Sequence, residues 1–363
     1  MALSNSTKKK IRKKAAKAIF GKSLALVLVL LTVIGIAGSC LYENNEPFRA
    51  FVDDLGIVST TSTQKSSISS STSSSISSST SSSSSSSSSG SSSSSSSTQF
   101  IPPNDPSEDF MLVHFIDVGQ GDSTLFQTPS GSVLVDCGES EYGDDVVEYL
   151  RAKGVEELEY FIITHPDSDH MGCAAYVLKN IRVKNFVLNG QVKTTQFFKK
   201  AIDEATKQAE EGTLNNIKAE PGDVFSVGDL VMKIYGPEKE LVETDEWNDA
   251  SLIIHAMYGD RSFLLTGDAE EKGEESLLEH YEANLKCDVF SAGHHGSRTS
   301  NSKELLEAAS PRYVVVSCGE DNSYGHPHQE ALDAFESVGA EVFRTDELGT
   351  IVFVTDGISL TKK

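Results

Sequence analysis

The sequence predicts an α+β fold, and three features predict it. Apolar segments rich in Val, Ile and Phe alternate with segments of helical spacing from residue 111 onward. Two of the apolar segments, 252–258 and 262–265, are joined by the hairpin turn Gly259-Asp260. Several others end in loops that carry His and Asp. Hairpins mixed with βα units exclude a simple parallel sheet and favour layers of sheet and helix.

Taken in order, the pattern gives strands at 111–116, 123–127 and 132–135, a helix at 144–152, and a short apolar strand at 161–163 that ends at Thr164-His165. Helices are expected at 173–178 and 197–209, and strands at 231–235, 252–258 and 262–265. A helix at 270–281, a strand at 289–292, a helix at 302–309, a strand at 313–317 and a helix at 329–337 follow. A hairpin over 341–360 closes the domain, which spans 106–363. No internal period decides the fold.

What precedes residue 106 is different in kind. Residues 1–22 hold eight basic residues and no acid, residues 23–41 are uncharged and apolar, and residues 59–98 are almost pure Ser and Thr. The apolar run is at the lower edge of what spans a bilayer, and its basic flank places the rest of the chain outside the cytoplasm of a bacterial cell. Three fates fit: an uncleaved membrane anchor, which is favoured; a lipoprotein through Cys40 after Ala37-Gly38-Ser39; or cleavage and secretion. The 42–105 segment cannot offset its own ordering entropy and reads as a disordered Ser-rich linker.

Charge excludes some functions. The chain of 363 residues carries a formal net charge of −22. Ten of its 31 basic and four of its 53 acidic residues precede residue 101, so the remainder stands at −28. A basic nucleic-acid-coating protein is excluded, and with a single spanning-length apolar run so is a multispanning membrane protein. Lys193, Lys199, Lys200 and Lys207 read as a basic patch or, better, a solvated face on one helix.

The chemistry is expected in loops that follow strands. Thr164-His165-Pro166-Asp167-Ser168-Asp169-His170 places two imidazoles and two carboxylates within six residues, a ligand set for zinc or manganese. Helix capping would explain one aspartate and leave both histidines without a role. Gly267-Asp268 ends a second strand, His294-His295 a third, and His326-Pro327-His328 follows a fourth. Six of the nine histidines fall in these loops, while His114, His255 and His280 read as structural or solvent-facing. Cys137, Cys173, Cys287 and Cys318 form no CxxC pair, and Cys173 reads as a small packing residue.

In this order the segments His165-x-Asp167-x-Asp169-His170, Gly267-Asp268, His294-His295-Gly296-Ser297 and Gly325-His326-Pro327-His328 resemble the metallo-β-lactamase superfamily, and within it the extracellular hydrolase domain of the ComEC competence family. The segment from Phe115 through Asp117, Gly119, Gln120, Gly121 and Asp122 to Ser123 resembles that family's opening motif, and Val135-Asp136-Cys137-Gly138 resembles the superfamily's first, mostly structural aspartate. The likeness covers residues 111–357. It implies a four-layer αββα sandwich with the metal site at one sheet edge, one or two divalent ions (zinc or manganese), and a hydrolase acting on phosphodiesters, DNA first among them. A cell-envelope phosphodiesterase and a non-catalytic surface module are the alternatives.

The resemblance assigns Asp169, His170, Asp268 and His294 to a tighter metal, with Asp268 bridging, and His165 and Asp167 to a second. His295 is an equal candidate for the place of His294. His326 and His328 become hydrogen-bond donors or acids at the reacting phosphoryl group, with Asp169 also catalytic. Gln120 and Ser297 line the substrate cleft, while Asp122 and Asp136 orient ligands from behind. Two departures stand out: the superfamily's commonest pattern has His where Asp167 stands, and residues 171–254 lack the further histidine usual there. These favour one metal or a loosely held pair. The many-helix channel of the competence proteins is absent from this sequence, so DNA import by this chain alone is not implied.

Overall fold

The computed structural model describes residues 110–244 and 247–363. The basic stretch 1–22, the apolar run 23–41 and the linker 42–105 lie outside the described residues. No helix among the described residues is long and apolar enough to cross a membrane.

The chain begins with the antiparallel strands β1 (Met111–Phe115), β2 (Thr124–Thr128) and β3 (Gly131–Val135). Three crossovers follow. Helix α1 (Gly143–Ala152) leads to β4 (Glu157–Ile162), α2 (Ser168–Met171) and α3 (Ala174–Asn180) lead to β5 (Arg182–Leu188), and α4 (Gln196–Glu210) leads to β6 (Asn215–Lys218). Strands β3 to β6 pair in parallel, as crossover connections require.

The second half repeats the plan. Antiparallel β7 (Val224–Val227), β8 (Leu230–Gly236), β9 (Ile253–Tyr258) and β10 (Arg261–Leu265), with the helical turn α5 (Lys239–Val242) between β8 and β9, come first. Helices α6 (Glu271–Tyr281), α7 (Lys303–Ala309) and α8 (Gln329–Ser337) then lead to the parallel strands β11 (Val289–Ser291), β12 (Tyr313–Val316) and β13 (Glu341–Arg344). A last turn, α9 (Thr345–Leu348), returns the chain to the first sheet as β14 (Ile351–Thr355) and β15 (Leu360–Lys362).

Period-2 alternation divides the side chains into layers. On β1, Met111, Val113 and Phe115 enter the core between the sheets, as do Val133 and Val135 of β3 and Phe263 and Leu265 of β10. Leu134 faces the other way, onto α1, α3 and α4, which bring Val147, Leu150, Val177 and Ile202 to it. Leu264 faces the opposite helices with Leu277, Leu306 and Phe335. The result is a four-layer αββα sandwich. Phe126 and Phe263 meet edge to face across the central layer with centroids 5.9 Å apart, and each buried phenyl ring contributes roughly 1.5–3 kcal/mol.

The expected turn Gly259-Asp260 joins β9 to β10, with Gly259 at φ +58 and Tyr258 opposite Arg261. Residues 341–360 do not form one hairpin. β13 lies in the second sheet beside β12, and the change of sheet is made by α9 and by Gly349 at φ +71. Strands β5, β6 and β7 were not expected from the pattern. Lys193 precedes α4, whose flanking Thr195 is extended (φ −70, ψ 154), so the basic patch does not lie on one helix.

The parallel pairing has one consequence for chemistry. The carboxyl ends of β3, β4, β5, β10, β11 and β12 carry Asp136, His165, Asn189, Asp268, His294-His295 and Ser317 within the next few residues. Open α/β sheets bind ligands at that end of their strands.

Candidate metal centre

Asp268 is the middle of the site. It follows β10 through Gly267, which at φ +52 would carry a Cβ 3.0 Å from Ser251 and Thr164. Its backbone N–H donates to Ser251 Oγ at 3.1 Å, and the residue is 3% exposed. The two carboxylate oxygens face different partners. Oδ1 lies 3.0 Å from His170 Nε2 and 3.7 Å from His295 Nε2. Oδ2 lies 3.8 Å from His165 Nε2 and 3.6 Å from His294 Nε2.

Each imidazole is aimed from behind. His170 Nδ1 meets Asp136 Oδ2 at 2.9 Å, which leaves Nε2 free to act as a ligand. Asp136 also accepts from Thr164 N at 2.8 Å and Thr164 Oγ1 at 2.7 Å, so strand β4 and the 165–170 loop are fixed by the same carboxylate. His295 Nδ1 meets Ser317 O at 3.0 Å, and His294 Nδ1 meets Glu270 Oε1 at 3.0 Å. His294 and His295 are consecutive non-glycine residues in the left-handed region, at φ 50 and φ 55. That conformation costs about 1–2 kcal/mol per residue and brings both rings to opposite oxygens of one carboxylate.

Further acids approach the Oδ1 side. Asp169 Oδ2 lies 3.3 Å from His295 Nε2, and Asp122 Oδ1 lies 3.5 Å from His295 Nδ1. Gly121 makes this approach possible: Asp122 N donates to Asp169 O at 3.1 Å, and a Cβ on Gly121 would stand 2.3 Å from that oxygen. Asp122, His170, Asp268 and His295 are all buried and offer ligand atoms within 4.8 Å of one another. On the Oδ2 side Asp167 Oδ1 lies 3.9 Å from His165 Nε2, but the same oxygen is paired with the Lys193 ammonium.

The donor set fits a divalent cation. His165 Nε2 is a buried nitrogen with no hydrogen-bond partner, and the buried His170 Nε2, Asp268 Oδ1 and Asp122 Oδ1 find their nearest polar neighbours inside the cluster itself. Burial raises the Asp268 pKa, and His170 and His295 more than reverse that, holding it well below the usual carboxylate range. Burial lowers His170 and His295, and Asp268 beside them carries both well above the usual imidazole value. Strongly perturbed ionisable groups gathered in one buried cluster are a feature of functional sites.

The expected residues divide as follows. His165, Asp169, His170, Asp268, His294 and His295 are brought together, and the distances pair His170 with His295 and His165 with His294. The sequence groups Asp169 and His170 with either His294 or His295, apart from His165 and Asp167, and the distances favour His295. Asp136 stands behind His170, and Asp122 meets His295 at Nδ1, from behind, while also lying within 4.8 Å of the other ligand atoms. His326 is buried, its ring 5.4 Å from that of His294 and 6.1 Å from that of His295. Burial, and then the charges of His295 and His294, lower its pKa to about 4. His328 turns its ring nitrogens to Arg298, at 3.1 Å from the backbone N and 2.9 Å from Nη2.

Gln120 accepts from Gly319 N at 3.2 Å, and Ser297 Oγ lies 2.9 Å from Thr299 Oγ1. Thr164, Glu270 and Lys193 were not singled out as site residues by the sequence reading, although Thr164 and Glu270 flank two of its motifs. Cys173 Sγ points to Cys137 O at 2.8 Å, as a packing residue does. A cleft of about 1060 Å³ borders the Oδ2 side, lined by Asp167, Trp247, Glu270, Arg298 and Thr299 among others.

Comparison with known proteins gives the family. A family model described as the Metallo-beta-lactamase superfamily matches residues 116–320. ComE operon protein 3 of Bacillus subtilis (strain 168) is 35% identical over 66% of this chain and 32% of its own length. Competence protein ComA of Neisseria gonorrhoeae is 31% identical over 69% of this chain and 33% of its own. The chain thus spans about a third of the length of these curated relatives. Among solved structures, the metallo-beta-lactamase fold protein YhfI from Bacillus subtilis aligns at 15% identity with a TM-score of 0.48, over 68% of this chain and 100% of that one.

Proposed function

This chain belongs to the metallo-beta-lactamase superfamily and is related to the ComEC competence proteins, and we propose that it is a metal-dependent hydrolase that cleaves phosphodiester bonds, with a nucleic-acid backbone as its first substrate. The observation that carries this reading is the single carboxylate of Asp268 set between two pairs of imidazole nitrogens, with the buried His165 Nε2 left without a hydrogen-bond partner. His170, His295 and Asp268 would hold a divalent ion, zinc or manganese, which would supply an activated water and polarise a phosphoryl oxygen.

The chain's own residues do the rest. Asp136 and Thr164 hold the His170 ring in one orientation and its proton on Nδ1. Asp169, kept ionised by His295 against the effect of burial, accepts a hydrogen bond from the attacking water. His326, neutral at pH 7, donates one N–H to the developing phosphoryl charge. Its backbone is pinned by Asn322, which accepts from His326 N at 2.9 Å and donates to His326 O at 2.6 Å. His328 is tied to Arg298, which lines the cleft.

A second reading has an observation in its favour. Residues 101–363 stand at −28, and Glu270, Glu271, Glu274 and Glu275 line the cleft. Such a surface disfavours a long polyanion and suits a shorter envelope phosphodiester, a teichoic acid unit or a phospholipid head group. Export and membrane attachment through residues 23–41, which place the domain outside the cell, belong to this proposal and rest on the sequence.

The test is metal-dependent cleavage of single-stranded DNA beside bis-p-nitrophenyl phosphate, with Asp268→Ala as the control. Cleavage of both, lost in the variant, supports the nuclease. Cleavage of the small diester alone moves the assignment to the envelope substrates. Turnover undiminished in Asp268→Ala removes Asp268 from the site and the mechanism with it.

A further inference from the structure

We propose that Lys193 fills the place of a second cation at this centre, so that the chain holds one divalent ion tightly on the Oδ1 side of Asp268 while a lysine ammonium neutralises the other side. The inference rests on the metal-site reading above and adds a number to it.

The two sides of Asp268 are unequal. Around Oδ1 stand His170 and His295 with two further carboxylates, Asp169 and Asp122. Around Oδ2 stand His165 and His294; Asp167 comes near His165 Nε2, while Glu270 meets His294 from behind, at Nδ1. The Asp167 oxygen that faces His165 Nε2 is Oδ1, the same atom that pairs with Lys193 Nζ. An ion bound by His165 and Asp167 together would have to displace the ammonium or lie against it, and two cations sharing one oxygen repel.

Lys193 is built into that position. Its side chain is 15% exposed, and its ammonium lies between the Asp167 carboxylate and the Trp247 ring, 4.6 Å from the centroid. A cation over an indole face and against a carboxylate is held by both. The loop that carries it is also fixed. Asn189 Nδ2 donates to Ala250 O at 2.7 Å and to Gln191 Oε1 at 2.8 Å, and Gln191 N donates to Asn189 Oδ1 at 3.0 Å. These bonds tie the end of β5 to the segment before β9, so the lysine enters from a rigid base. A side chain that wandered on the surface would not be buried between an aspartate and a tryptophan.

Metal content of the full chain, purified without chelator and exposed in turn to manganese and to zinc, tests this by mass spectrometry after gel filtration. The wild type is expected to carry one ion per chain, Lys193→Met to approach two, and Lys193→Arg, which keeps the charge, to stay at one. A wild type with two tightly held ions, or a Lys193→Met that folds and stays at one, overturns the assignment. Paramagnetic resonance of the manganese-loaded wild type gives the same answer without a variant: an isolated-ion spectrum is expected, and a spin-coupled pair overturns it. The two readings fail differently. Metal on neither wild type nor variant removes the hydrolase proposal itself, whereas one ion on both removes only the role of Lys193.

Discussion

His170 meets Asp136 through Nδ1 at 2.9 Å, in a corner where both residues are at most 1% exposed. The contact fixes which imidazole nitrogen is left to face Asp268. Asp136→Asn keeps the size of the side chain but removes its charge and allows the amide to present a donor to Nδ1. Metal affinity should fall by about 10–100-fold, the usual cost of losing a carboxylate behind a ligating histidine. Competition with a chromophoric chelator measures it. Affinity unchanged within threefold would show that Asp136 serves only to join β3 to Thr164.

The two adjacent histidines should behave differently. His295 is 1% exposed and shares the Oδ1 side with His170, Asp169 and Asp122, while the His294 side chain is 22% exposed and shares the Oδ2 side with His165. His295→Ala should lose the tightly held ion, and His294→Ala should keep it with weaker binding. Metal retention after dialysis against buffer decides between them. Equal loss in both variants would mean that one ion sits midway and uses both rings.

Gly121 tests the approach of the 116–123 loop. A Cβ at this position would meet Asp169 O at 2.3 Å, and φ is +134, a backbone that L side chains rarely adopt. Gly121→Ala should cost roughly 1–3 kcal/mol in unfolding free energy and also weaken metal binding, because Asp122 and Asp169 move apart. Denaturant unfolding of the metal-free chain separates the two effects. A variant as stable as wild type would show that the loop relaxes without strain.

Much of this site was legible because strands ending in a ligand leave a local trace. β4 ends in Phe161-Ile162, followed by Ile163, and the apolar run breaks at Thr164-His165; β10 ends in Phe263-Leu264-Leu265 and breaks before Gly267-Asp268. The partition around Asp268 left no such trace. Which ring of His294-His295 reaches which oxygen is set by two left-handed backbone conformations, and spacing does not reveal those. Lys193 was read with the lysines of α4 because charge runs look continuous in sequence, and its partner Asp167 is 26 residues away. In the fold, β5 was missed because Arg182, Lys184 and Asn185 interrupt its apolar run. β6 has only Ile217 as an apolar residue and exists by backbone pairing to β5, from Asn185 opposite Asn215 to Leu188 opposite Lys218. The 341–360 stretch alternates as a hairpin would, and only tertiary pairing reveals that its first strand belongs to the other sheet.

Acid should destabilise the fold through histidines far from the metal centre. His114 on β1 is 2% exposed, with Nδ1 2.9 Å from Tyr149 Oη. Burial, then the charges of Lys153 and Lys363, lower its pKa to about 3. His255 on β9, lowered to about 4 by burial and then by Lys233, acts in the same direction. Both have folded values below the unfolded value of 6.5, so between pH 6.5 and about 4 the unfolded chain binds more protons than the folded one. Stability is therefore fully present above 6.5 and falls as pH drops through that window. His114→Gln, which keeps a polar contact to Tyr149 but cannot titrate, should flatten the dependence. Its unfolding free energy should drop less than that of wild type between pH 7 and pH 5, by on the order of 1–2 kcal/mol. Denaturant titrations of both proteins with chelator present, at the two pH values, give the comparison. Parallel curves would mean that His114 takes up its proton in the folded chain without loss and that the strand opens locally to admit it.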